Sequence, residues 1–272
     1  MNSNEQILPV YFHIPKNAGT YIHKTFYNRL TMDGIAKHFI NVFKDGENIC
    51  NIICGDVSKY NNFKQTAGSW LYAVELKDLQ LENIGVKLIS ITPVGFRNYK
   101  KEIYNLIPNN ISIREFICLR SPYNRLQSLY SYNYSQSNNY KHKTSLVSSH
   151  LTFIEYINSN LLEECWLIRN ILDIPDSTLL TEDHYNKACN ILDTFDLMDF
   201  NNISNDASQF YNMYYKPYIK SEVSESTFKC KSNVTSGKID IDFNMLDIKT
   251  QNKFNERQKW DIKLFNRYIK TK

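Results

Sequence analysis

Residues 7–20 constrain the fold more than any other stretch. Ile7 to Ile14 is apolar and β-prone, the pattern of a buried strand. Pro15 stops it, and Lys16-Asn17-Ala18-Gly19-Thr20 makes a tight turn. From Thr20 the period changes: Ile22, Phe26 and Leu30 recur every four residues, the stripe of an amphipathic helix that ends near Leu30. A second unit of this kind lies mid-chain. Ile111 to Leu119 reads as a strand with Arg120 at its end; Ser121 suits an N-cap and Pro122 a first helical position. Leu126, Leu129 and Tyr130 carry the helical stripe onward.

Weaker strands are expected at Asn51–Cys54 and Val86–Thr92, with a hairpin around Trp70–Leu76. Tyr132 to His150 is polar and turn-rich and reads as an exposed loop. Thr152-x-x-Glu155 is a capping-box pattern. Helices are expected over Leu161–Leu172, Asn186–Phe195 and Phe243–Ile269. Strands alternating with helices predict an α/β fold around a mainly parallel sheet. No linker or internal repeat breaks the 272 residues, so one domain over 1–272 is expected.

Composition narrows the function classes. Apolar residues are 42 % and charged residues 22 %, so the chain can bury a core. A net charge of +4 suits an anionic ligand without calling for nucleic acid. No run of about 18 apolar residues offers a membrane span, and Met1 to Gln6 lacks the features of a secretory signal. A cytoplasmic protein of microbial or viral type, with reduced thiols and no membrane insertion, is the expectation. The six cysteines match no zinc spacing, Cys50-x3-Cys54 standing alone, and no metal is expected. With 8 glycines the chain contains neither G-x-G-x-x-G nor the Walker pattern.

A strand that turns sharply into a helix aims backbone N–H groups and the positive end of the helix dipole outward. Lys16 adds a charge there, Thr20 a hydroxyl, and Gly19 room for close backbone approach, which together suit a phosphate or sulfate cradle. The same spacing also fits an ordinary strand–helix turn with a surface lysine. Arg120 and Ser128 form a second candidate anion pair, with Ser121, Arg125 and Ser128 spaced for one helix face. Arg125 fits a structural ion pair equally well, and Ser128 a small packing residue.

Tyr11-Phe12-His13-Ile14-Pro15-Lys16-Asn17-Ala18-Gly19-Thr20 resembles the opening of the carbohydrate sulfotransferases, roughly H-I-P-K-T-[AG]-G-T. Leu119-Arg120-Ser121-Pro122-Tyr123-Asn124-Arg125-Leu126-Gln127-Ser128-Leu129-Tyr130 resembles their second motif, roughly [LV]-R-[DN]-P-x-x-R-x-x-S-x-[YW]. Ala188 to Leu197 and Asn233-Val234-Thr235-Ser236 are weaker similarities. The resemblance implies a P-loop-like sulfotransferase fold and 3′-phosphoadenylyl sulfate as co-substrate. It implies transfer of a sulfuryl group to a hydroxyl or amine of a glycan or related acceptor. Lys16, Asn17, Ala18, Gly19 and Thr20 would cradle the 5′-phosphosulfate, Lys16 also stabilising the leaving oxygen. Arg120 and Ser128 would hold the 3′-phosphate.

Such relatives carry a basic His or Glu between the two motifs. Here Asp56, beside Gly55, is the first choice of general base, with Glu75, His38 and His23 as fallbacks; a turn-forming role for Asp56 fits as well. His13 is read as structural. Arg169 resembles a family position near nucleotide or acceptor, and Arg97, Lys100 and Lys101 with Lys141, His142 and Lys143 would rim an acceptor cleft. Two other classes stay open: a non-catalytic nucleotide- or glycan-binding relative, and a P-loop-like small-molecule kinase.

Overall fold

The computed structural model describes residues 6–58, 63–67, 71–82, 84–137, 151–229 and 239–269. In chain order its elements are β1 (Gln6–Phe12), α1 (Gly19–Met32), β2 (His38–Lys44), β3 (Glu47–Cys54), β4 (Lys64–Ala67), β5 (Leu71–Glu75), β6 (Val86–Ile91), α2 (Lys100–Asn105), β7 (Ile111–Leu119), α3 (Pro122–Ser137), α4 (Phe153–Asn158), α5 (Trp166–Leu172), α6 (Glu182–Leu192), β8 (Asp196–Asp199), α7 (Ile203–Tyr215), α8 (Glu225–Phe228), α9 (Ile248–Arg257) and α10 (Lys259–Tyr268). They divide into two compact units, Met1–Cys118 with Thr194–Cys230, and Leu119–Asp193 with Lys231–Lys272.

The first unit is built on a sheet in the order β4-β5-β2-β3-β6-β1-β7-β8. β1 lies between parallel neighbours β6 and β7, with Phe12 opposite Ile91 and Ile117. β3 runs antiparallel to both β2 and β6, β5 parallel to β2, and β4 antiparallel to β5. The sheet is therefore mixed but mainly parallel, and the α/β class expected from the sequence holds. Alternation along β1 fills two cores. Leu8 and Val10 point to the face covered by Ile103 of α2; Tyr11 points to the face covered by Phe26 of α1 and Tyr211 of α7. Phe26 is fully buried, which stabilises by about 2–3 kcal/mol.

β1 and β7 form where the apolar runs place them. Three strands went unpredicted: β2, β4 and β8. The hairpin expected around Trp70–Leu76 is instead β4 paired with β5, and a 3-10 turn begins at Leu76. β2 and β3 form a hairpin closed by Asp45 and Gly46, at φ 53° and 82°, the Asp-Gly turn that right-twisted strands favour.

The second unit is helical. Tyr123 and Tyr130 of α3 pack with Phe153 of α4 and Phe254 of α9. The expected capping box is present: Glu155 N–H donates to Thr152 Oγ1 (3.2 Å) and Thr152 N–H to the Glu155 carboxylate (2.6 Å). Four expectations are corrected. α3 continues through Ser137 where a loop was expected; its polar sequence imitates a loop, while the Tyr130 hydroxyl donates to Leu151 O and Ser131 Oγ accepts from Ile239 N–H. Residues 138–150 lie outside the described residues. The helix expected from Leu161 starts only at Trp166. The expected C-terminal helix is three pieces: a 3-10 turn at Phe243–Met245, α9 and α10, the last two divided at buried Gln258, whose amide donates to Glu163 O. Finally, α6 begins at Glu182, four residues ahead of expectation, because Thr181 and His184 cap it.

Candidate functional site

At the end of β1, His13 N–H still donates to Ile91 O (2.8 Å), and then the chain turns. Asn17 N–H donates to Ile14 O (3.1 Å), closing a turn with Pro15 second and Lys16 third. Lys16 and Ala18 both stand in the left-handed region, each at φ 67°. Such a conformation costs an L-residue about 1 kcal/mol or more. Lys16 and Ala18 are two of the five non-glycine residues with positive φ among the described residues.

The strain delivers an open helix end. Ala18 is the N-cap of α1 and supplies no side-chain cap, and the first turn contains no acid. The first helical bond runs from Ile22 N–H to Ala18 O (2.9 Å), so the amides of Gly19, Thr20 and Tyr21 precede any intrahelical acceptor. They point where the helix dipole is positive. Lys16 is half-buried beside them and Thr20 is exposed. The turn opens at the carboxyl edge of β1, flanked by β6 on one side and β7 on the other, where α/β sheets place ligands.

Two assignments within the turn change. Asn17 is 1 % exposed and faces inward. Its Nδ2 donates to Cys118 O (3.1 Å), its carbonyl accepts from Tyr11 Oη (2.9 Å), and its amide is spent on Ile14. Asn17 therefore pins the turn to β7 and is not an anion donor; its Oδ1 has no hydrogen-bond partner. Gly19 is not glycine to admit a ligand, because the space its side chain would take holds the ring of His13.

His13 stacks on Tyr11 at 5.9 Å and meets His23 edge-on at 4.9 Å. His23 Nε2 and Ser90 Oγ form a 2.5 Å hydrogen bond. Burial lowers the pKa of His13 to about 4; burial and the neighbouring His13 lower that of His23 to about 3. Both rings are neutral at pH 7. Tyr11 and Ser90 carry this arrangement, and neither was assigned a role from the sequence. A tyrosine or serine inside a strand has no distinguishing pattern.

The general-base assignment is corrected. Asp56 follows β3, which is antiparallel to β6 and ends with Cys54 opposite Val86. The turn after β1 lies at the other end of β6, beyond Ile91. The length of β6 puts about 16 Å between these edges. Asp56 is exposed, and Ser58 N–H donates to its Oδ1 (2.8 Å), a bond that holds the carboxyl below its ordinary pKa. It is a turn-forming aspartate. His38 pairs with Cys54 and shares that far edge. Glu75 ends β5 at the near edge, but four strands from β1, about 19 Å. Of the fallbacks only His23 neighbours the turn, and it is engaged by Ser90.

In the second unit, Arg120 and Ser128 are half-buried, Arg120 just before α3 and Ser128 within it. Arg125 does not join them on an open face. It is 4 % exposed, with its guanidinium 4.5 Å over the Trp166 ring and 3.8 Å from the Glu163 carboxylate. Arg169 is likewise committed, donating to the carbonyls of Glu164 (2.8 Å), Pro175 (2.5 Å) and Thr178 (3.0 Å); it holds a loop and does not reach for a ligand. Of the expected basic rim, Lys100 in the first unit pairs with Glu115 at 2.5 Å, while Lys141, His142 and Lys143 lie outside the described residues, as does the Asn233–Ser236 stretch. The five described cysteines are buried thiols. Among the described residues no group of three His, Cys, Asp or Glu could hold a metal ion, and no helix is long and apolar enough to cross a membrane. Comparison with family models, with curated proteins and with solved structures found no match.

Proposed function

We propose that the chain is a P-loop-like sulfotransferase that moves a sulfuryl group from 3′-phosphoadenylyl sulfate to a hydroxyl or amine of a glycan or related acceptor. The observation that carries this reading is the uncapped N-terminus of α1, entered through left-handed Lys16 and Ala18 at the carboxyl edge of β1. Helix-end amides with no intrahelical acceptor, dipole and lysine are the donor set that a phosphosulfate requires. The amides of Gly19 and Thr20 hold the anion, the Thr20 hydroxyl adds a donor, and Ala18 shapes the cradle. Lys16 stabilises the negative charge that develops on the departing phosphate oxygen. From the resemblance, Arg120 and Ser128 take the 3′-phosphate. No metal or nucleic acid enters this reading, and the protein acts in the cytoplasm without inserting in a membrane. The acceptor proton passes to a base other than Asp56 or His38.

Lys16→Ala tests it. With labelled donor and a panel of glycans, turnover should fall on the order of 10²-fold or more, while the melting temperature stays near that of the wild type. Near-normal turnover would remove the turn from the reaction. A second reading, nucleotide binding without transfer, is favoured by one observation: the expected base sits at the wrong edge of the sheet. Donor binding without consumption on any acceptor would select it.

A further inference from the structure

The ring of His13 stands where a side chain on residue 19 would go. A β-carbon built on Gly19 would lie 1.7 Å from His13 Nε2 and 2.1 Å from Cδ2. Backbone conformation does not demand glycine here, since the positive-φ glycines are Gly34, Gly46 and Gly85. The ring demands it. Nor can the ring easily step aside. His13 is fixed at its backbone by Ile91 O, stacked on Tyr11, and backed by His23, which Ser90 holds in turn. Tyr11 also grips the turn through Asn17 O. A continuous set of contacts thus runs from strands β1 and β6 to Asn17 within the turn and to Gly19 after it.

We infer that His13 is a positioning residue: its ring, wedged against Gly19, sets the direction in which the first amides of α1 and Lys16 face the bound anion. The ligand half of this inference rests on the proposed sulfotransferase reading; the packing half does not. Gly19 and His13 form an interlocking pair, one absent side chain admitting the other, and each should tolerate change only when its partner changes too. Misplacing a binding group by about 1 Å can cost two orders of magnitude, so the lock matters more to ligand affinity than to stability.

The test is a size exchange in the full chain, read by calorimetric affinity for 3′,5′-adenosine bisphosphate and by melting temperature. Gly19→Ala alone collides with the ring and should weaken affinity roughly 10- to 100-fold and lower the melting temperature. His13→Ala alone leaves the cradle unsupported and should weaken affinity by about 10-fold. In the double variant the methyl introduced at position 19 occupies the space the ring leaves, so most of the affinity should return, a non-additivity expected only of residues in contact. Losses that add in the double variant, or a Gly19→Ala protein that binds like the wild type, would overturn the inference. If the wild type does not bind the nucleotide, the sulfotransferase reading and the ligand half fall together. Melting temperatures then decide the packing half. A double variant melting above Gly19→Ala sustains the lock, and one melting at or below it ends it.

Discussion

His13 and His23 should leave a mark on the pH dependence of stability. Free imidazole titrates near 6.5, whereas burial lowers His13 to about 4 and His23 to about 3. The folded protein keeps both neutral, and the unfolded chain takes up protons more readily. Their contribution is complete above pH 6.5 and is lost as pH falls from 6.5 towards 4 and 3. At pH 5 each costs about 2 kcal/mol at most, less to the extent that both rings are partly exposed. Urea unfolding at pH 7.5 and pH 5 reads the effect as the difference between wild type and His23→Asn. The variant should lose less stability than the wild type on acidification, and equal losses would contradict the neutral pair. At this scale little was legible in advance. The motif residues marked the turn, but the role of Gly19 was misjudged, because only the folded chain brings His13 against it. Asn17 was misjudged for the same reason, its partner Cys118 being 101 residues away.

Among the elements, α5 depends on a residue from another helix. Cys165 is its N-cap in the left-handed region, its side chain making no cap bond, and Leu167 and Ile168 N–H donate to Asp261 of α10 at 2.8 and 3.0 Å. Burial raises the Asp261 pKa to about 6 even though those amides, Arg125 and Arg169 favour its charge. The sign is opposite to that of the histidines: the fold prefers the protonated acid, so stability falls as pH rises from about 3.8 to about 6. Asp261→Asn removes the charge and keeps one acceptor. Its stability relative to wild type should improve by about 1 kcal/mol between pH 5 and pH 7. A difference that does not change with pH would show that the carboxylate is not strained by burial. Element boundaries were legible where chemistry punctuates them, as with Pro15 after β1, Ser121-Pro122 before α3 and Thr152 before α4. The Asp45-Gly46 turn carried a hairpin signal that was not used. β8, Asp-Leu-Met-Asp, carried none; it exists because β7 offers an edge. The division at Gln258 interrupts a stripe that reads as one helix, since the buried amide contact that accompanies it comes from the distant Glu163.

On the scale of the molecule, the α/β class followed from alternating strand and helix patterns, but strand direction did not. A uniform strand–helix–strand reading puts every loop after a strand at one edge. The β2–β3 hairpin reverses the chain, which carries Asp56 to the opposite edge from Lys16. That reversal is why a base placed by sequence order failed, while the strand–turn–helix unit of β1 and α1, contiguous in sequence, is present. The proposal to be tested is that the chain binds a nucleotide carrying both a 5′- and a 3′-phosphate. Thermal unfolding with 3′,5′-adenosine bisphosphate and with AMP tests it most directly. Ligand at 100 times its Kd should stabilise the fold by about 2.7 kcal/mol. The bisphosphate should raise the melting temperature well above the AMP value in the wild type, with that advantage lost in Arg120→Ala. Equal shifts from the two nucleotides in the wild type would contradict the account.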